Sequence, residues 1–209
     1  MSLFVTLDGP GGAGKSTLAR LVAEQLATAD VPALATREPS DGLLGEIARR
    51  QTATFSGTAL ACLVAADRYH HLETEIRPAL ERGQVVVCDR YVPSSYVLQS
   101  RDGVPLDYIR HLNALADRPH LAILVTAAPP VLEQRLTMRG AHSRFEHEGS
   151  SAAEVTLYED LADVLARADR RRQRDQSPHP RRDARQLGPE ARHRRRRDRG
   201  QRGDQRQHP

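Results

Sequence analysis

The sequence predicts an α/β fold, a P-loop NTPase core whose parallel β-sheet is flanked by helices on both faces, followed by a disordered basic C-terminal tail. Three observations carry this expectation. Apolar runs at Leu3–Leu7, Ala33–Thr36, Gln84–Cys88 and Leu121–Val125 alternate with stretches of helical period. The first run passes directly into Gly9-Pro10-Gly11-Gly12-Ala13-Gly14-Lys15-Ser16-Thr17, which has the spacing of a phosphate-binding loop. After Ala168 the apolar pattern ends.

The elements follow in order. Leu3–Leu7 is short, apolar and β-branched, as a strand buried on both faces must be. Leu18, Leu21, Val22 and Leu26 share one helical face after the loop. Ala33–Thr36 is a second strand, and Pro39 and Gly42 break regular structure behind it. A short helix is expected over Leu43–Arg50. A long one is expected over Thr58–Arg82, kinked or restarted at Pro78 and stopped by Gly83. Val85-Val86-Val87 marks a central strand. Helices are expected at Leu106–Ala116 and Pro129–Arg139, the latter with proline in its first turn. Gly140–Ser151 reads as a polar loop and Ala152–Ala168 as the last helix. Ligands of such sheets bind beyond the C-terminal strand ends, which singles out Gly9–Thr17, Arg37–Ser40 and Asp89-Arg90.

The loop chemistry explains its residues. Glycines let backbone N–H groups turn around a phosphate without a Cβ in the way. Lys15 brings a point charge to the β- and γ-phosphates, and the Ser16 hydroxyl is a magnesium ligand. The helix beginning near Ser16 adds its positive N-terminal end. Lys15 is also the only lysine among 31 basic residues. Asp89 ends an apolar strand, as a Walker-B acid does, and is the candidate for positioning magnesium or its waters, with Asp8 able to share that work.

Charge divides the chain. Residues 1–165 carry 15 basic and 21 acidic side chains, a net of −6, whereas 166–209 carry 16 and 6, a net of +10. The domains are therefore expected at 1–168 and 169–209. The second segment has almost no aliphatic side chains and cannot offset the cost of ordering. It also lacks aromatic residues for stacking on bases, so no specific nucleic-acid partner is expected. Cys62 and Cys88 each lie in an apolar run and read as buried free thiols. His70-His71 reads as a solvated or capping pair. No leader-like segment and no apolar run of ~18 residues is present, so a cytoplasmic protein without a membrane partner is expected.

The phosphate-binding loop alone leaves ATPases, GTPases and small-molecule kinases open. A GTP-operated switch lacks its usual Asn-Lys-x-Asp, since no second lysine exists to supply it. Three further stretches choose among the rest: Thr36-Arg37-Glu38-Pro39, Ala65-Ala66-Asp67-Arg68 and Asp89-Arg90-Tyr91-Val92-Pro93-Ser94-Ser95. With Phe4–Thr17, Ile76-Arg77-Pro78-Ala79-Leu80 and the lid segment from Arg135 to Glu146, they resemble the thymidylate kinase family over residues 3 to about 165. The resemblance implies transfer of the γ-phosphoryl group of ATP, with Mg2+, to dTMP. It implies a homodimer, an acceptor-phosphate contact from Arg90, a base-facing Arg68, and an Arg37 that orders the acceptor loop. It places Tyr91 and Ser95 with these in the substrate site, and Arg135, Arg139 and Arg144 in a lid over the phosphates.

The chain departs from the family pattern at four places. Gly11 stands where an acid or arginine is usual, Val64 where an aromatic residue stacks on the base, and Leu98 where a tyrosine guards the sugar 2′ position. The fourth is the arginine-rich end, which occupies the place of a further strand and helix. This predicts a shifted reading frame near Ala168, an uncovered sheet edge and a weakened nucleotide site. Two alternatives to dTMP phosphorylation stay open: a related kinase for another small phosphate acceptor, and a catalytically impaired nucleotide-binding protein.

Overall fold

The computed structural model describes residues 2–139, 145 and 150–176, without the side chains of 150 and 165–176. Strands β1 (Leu3–Asp8), β2 (Ala33–Arg37), β3 (Val85–Asp89) and β4 (Leu121–Leu124) form one sheet in the order β2-β3-β1-β4. All three pairings are parallel, with Val86 of β3 opposite Phe4 of β1 and Leu34 of β2. The helices are α1 (Lys15–Thr28), α2 (Leu43–Arg50), α3 (Gly57–His71), α4 (Arg77–Glu81), α5 (Val92–Arg101), α6 (Leu106–Leu112), α7 (Pro129–Arg139) and α8 (Ser150–Gln176).

The triple valine behaves as its pattern requires. Successive side chains of a strand point to opposite faces. Val85 and Val87 pack with Leu7 and Ala19 of α1 on one face. Val86 and Cys88 pack with Phe4, Leu72, Ile76, Ala79 and Tyr91 on the other. Helices therefore cover both faces, and every residue of β3 is buried.

Several local expectations need correction. The helix expected over 58–82 runs from Gly57 to Glu81, and its irregularity lies ahead of Pro78 as a π-helical turn, Leu72–Ile76. Proline offers no N–H to the carbonyl four residues back and its ring crowds that position. A widened turn accommodates both constraints without ending the helix. Helix α5 was not foreseen. Its cap comes from far away in sequence: Asp8 Oδ1 accepts the N–H groups of Tyr91 and Ser94, each at 3.0 Å. Helix α6 ends at Leu112 rather than Ala116. Cys62 is exposed, and only Cys88 is a buried thiol.

Residues 1–167 form one compact unit. The last helix continues to Gln176, past the expected end at Ala168. The rest of the tail expected to be disordered, 177–209, lies outside the described residues, as does most of the loop expected over 140–151. Among the described residues no helix is long and apolar enough to cross a membrane, and β4 pairs only with β1.

Candidate active site

The loop after β1 has the backbone that its glycines permit. Gly9 has φ 146°, and a Cβ there would lie 2.0 Å from the carbonyl oxygen of Val125. Gly14, with φ 93°, precedes the first turn of α1. Both lie in the region that L side chains avoid. The free N–H groups of a helix start thus face the same loop.

Lys15 is 5% exposed and donates from Nζ to Pro10 O at 2.7 Å. Burial, and then the charge of Arg90, push its pKa down to about 7, against the pull of Asp89, Glu154 and Asp8. Ser16 Oγ donates a short hydrogen bond to Asp89 Oδ2. The other Asp89 oxygen, Oδ1, is buried with no hydrogen-bond partner among the described residues, and so is Asp8 Oδ2. A hydroxyl bonded to a carboxylate whose second oxygen keeps its lone pairs fits a hard divalent cation and its waters. The other Asp8 oxygen is committed to α5, also accepting from Ser94 Oγ at 2.7 Å. Burial raises the Asp8 pKa, opposed by Ser94, Tyr91 and Arg90.

Arg90 follows β3 with φ 70°, a left-handed conformation uncommon for a residue with a Cβ. Its N–H donates to Leu7 O at 2.8 Å, and Nη1 donates to Gly9 O at 3.2 Å and Tyr158 Oη at 3.1 Å. Tyr158 donates in turn to Ser94 Oγ at 3.0 Å. Burial pushes the Tyr158 hydroxyl up to about 12, so it acts as a neutral hydrogen-bonding post. Helix α8 thereby reaches the centre of the site.

Two chambers meet here. A groove is lined by the loop from Gly11 to Thr17 and by Arg135 and Arg139 of α7, with Arg135 Nη1 donating to Gly12 O at 3.2 Å. A second cavity of about 230 Å³ opens beyond β2 and β3. Ser16, Asp89 and Arg90 line both.

The second cavity has a cationic mouth and an apolar end. Arg37 and Arg49 line the mouth, both paired with Asp41. Asp67 fixes the loop beneath them, accepting from Ser40 N and Oγ at 2.6 Å each. Leu60, Val64, Leu98 and Phe145 line the apolar end, and Phe145 packs against Leu60 and Val64. Arg68 lines the wall but is only 2% exposed. It donates to Glu38 Oε2 at 2.6 Å, to Asn113 Oδ1 and to Ser95 Oγ at 3.0 Å, and lies 5.3 Å over the Tyr91 ring. Tyr91 borders the cavity, yet its hydroxyl donates to Asp117 O at 2.8 Å and its ring meets Phe4 edge-on at 5.1 Å.

The structure therefore brings Gly11–Ser16, Asp89, Arg90, Arg37, Arg68, Tyr91 and Ser95 around two joined chambers. Arg144 lies outside the described residues. Sequence reasoning passed over Arg49, Phe145 and Tyr158. For Tyr158 a signal existed: it lies one turn from Glu154, both buried on a mostly exposed helix.

A P-loop, an acid at the end of the neighbouring strand and a second cavity with an arginine mouth define a P-loop kinase acting on a small phosphorylated acceptor. A sequence profile of the thymidylate kinase family matches residues 7–171. The thymidylate kinase of Xanthomonas oryzae pv. oryzae is 37% identical over 162 residues, 76% of this chain and 71% of its own. That of Xanthomonas euvesicatoria pv. vesicatoria is 40% identical over 147 residues, 69% and 65% of the two chains. The probable thymidylate kinase of Pyrococcus horikoshii is 37% identical over 151 residues, 68% and 74%. The chain belongs to the thymidylate kinase family, and with it to the phosphotransferases.

Proposed function

We propose that the chain transfers the γ-phosphoryl group of ATP-Mg to dTMP, giving dTDP and ADP. The observation that carries this reading is the junction: Ser16, Asp89 and Arg90 belong to both chambers. A donor polyphosphate in the groove and an acceptor phosphate in the cavity then meet at those three side chains. Phosphoryl transfer asks a protein mainly to align two anions and neutralise their repulsion.

The residues divide the work. Backbone N–H groups from Gly11 to Thr17 and the Lys15 side chain hold the donor phosphates in the loop Gly9–Thr17, with Arg135, Arg139 and Arg144 closing over them. Ser16 and Asp89 would hold Mg2+, which would neutralise the charge of the donor phosphates. Arg90 and Arg37, joined by Arg49, hold the acceptor phosphate. An acceptor oxygen attacks the γ-phosphorus as the bond to the β–γ bridging oxygen breaks, and ADP leaves. Arg68, Tyr91 and Ser95 form the rigid wall of the acceptor cavity, and Phe145 offers a ring to the base at the end where Val64 does not.

A second reading, another nucleoside monophosphate as acceptor, is favoured by Val64 and Leu98 at the cavity end. Coupled ADP release measured with each nucleoside monophosphate in turn tests both. The first reading expects dTMP to give the highest kcat/KM, and better turnover of a different monophosphate would replace it by the second.

A further inference from the structure

Behind the acceptor cavity lies a buried cluster that the phosphoryl-transfer chemistry does not use. Glu38 follows β2, His71 ends α3 and Cys88 lies on β3. One ligand atom from each, a carboxylate oxygen, an imidazole nitrogen and the thiol sulfur, lie within 4.8 Å of one another. All three residues are buried. The expectation of a solvated or capping His71 is thus corrected, for it is 1% exposed.

The polar accounting inside the cluster does not close. Glu38 Oε1 and His71 Nδ1 face each other at 3.6 Å. Neither has a hydrogen-bond partner among the described residues. The opposite nitrogen, Nε2, lies 2.8 Å from Thr36 Oγ1 and 3.3 Å from Glu75 Oε2. With Nε2 engaged by Thr36 and beside the Glu75 carboxylate, Nδ1 is the nitrogen that faces Glu38. A carboxylate oxygen and an imidazole nitrogen thus face each other in a buried site, and a cation between them would satisfy both. The facing groups are acidic on several sides: Glu38, Glu75 and Asp67. Against the lowering effect of burial, they raise the His71 pKa.

We propose that Glu38, His71 and Cys88 form a binding site for a thiophilic divalent cation of the zinc or cadmium type. A nitrogen, sulfur and oxygen donor set is characteristic of such ions and unlike the all-oxygen set that magnesium prefers. The hydrogen bond between His71 Nε2 and Thr36, with the Glu75 carboxylate 3.3 Å away, is the outer contact that orients a metal-ligating imidazole. Binding releases the Cys88 thiol proton to solvent, and with it the Nδ1 proton of a charged imidazole, so the dication meets two anionic donors and one neutral one. The thiol proton is at present donated to Arg90 O, at 3.1 Å. Glu38 also lines the acceptor cavity, which gives an entry path. Its second oxygen holds Arg68, so an occupied site clamps the cavity wall.

The test uses the full chain carrying Cys62→Ser, in which Cys88 is the only thiol left, titrated with Cd2+ and followed by the thiolate-to-cadmium charge-transfer absorbance. The proposal expects one equivalent to bind, reversed by a chelator. Affinity should rise steeply with pH, by up to roughly a hundredfold per pH unit where two protons are displaced. His71→Gln in the same background should weaken binding at least tenfold. The proposal is overturned if the Cys62→Ser protein shows no charge-transfer band, if wild-type binding belongs to Cys62, or if His71→Gln leaves the affinity unchanged.

Discussion

Strands β3 and β4 have nearly the same apolar character and opposite environments. Val85–Asp89 is buried at every residue. In Leu121-Ala122-Ile123-Leu124, Leu121 is 53% exposed and Ile123 37%. The difference is position: β3 lies between β2 and β1, whereas β4 has only β1 beside it among the described residues. An apolar run records what a strand is suited to, and its neighbours decide whether that is realised. The residues proposed for phosphoryl transfer gather on the buried side. Asp89 and Arg90 leave the end of β3, and behind it Arg68 is paired with Glu38 and Asp67 with Ser40.

The largest effect should come from breaking the buried network beside β3. Glu38→Ala leaves the Arg68 guanidinium buried without its carboxylate, and this should cost about 3–5 kcal/mol of stability, read by urea denaturation. An effect below about 1 kcal/mol would show that the buried side is no stiffer than the β4 side. Next comes the apolar end of the acceptor cavity. Phe145→Ala should weaken dTMP binding by about 1–3 kcal/mol, seen as a raised KM with kcat little changed.

Lys15 sharpens the contrast through pH. Burial brings its pKa down to about 7, against 10.5 for a lysine in water. Between those values the unfolded chain holds a proton that the folded one lacks, so this group makes stability rise with pH across that window. A bound polyphosphate restores the ammonium. Binding of ATP-Mg above pH 7 should therefore take up close to one proton, measured by calorimetry in buffers of different ionisation enthalpy, and Lys15→Ala should remove that uptake. The smallest effect belongs to the exposed edge. Leu121→Lys should change stability by no more than about 0.5 kcal/mol, and a larger loss would mean that β4 is covered.

Much of this was legible beforehand for a physical reason. The P-loop, the four strands and the arginines around the cavity rest on local rules: glycine spacing, β-branched runs, charges at strand ends. What escaped was set by contacts distant in sequence. Helix α5 is capped by an aspartate 83 residues before Tyr91. Arg68 looked like a base-facing side chain, while Glu38, Asn113 and Ser95 hold it within the wall. His71 looked solvated because its neighbours Glu38 and Cys88 come from two other elements. Arg49 lies on a helix whose local sequence gives no hint of the cavity.

The central claim is that Ser16, Asp89 and Arg90 join a donor site to an acceptor site. Its most direct test is dTMP-dependent ADP release from ATP-Mg by the wild-type chain and by Asp89→Asn, with ATP binding measured in parallel. The account predicts release by the wild type and a fall of about 10²–10³-fold in kcat for Asp89→Asn with ATP still bound. Release independent of any nucleotide acceptor, or an Asp89→Asn protein as active as the wild type, would contradict it.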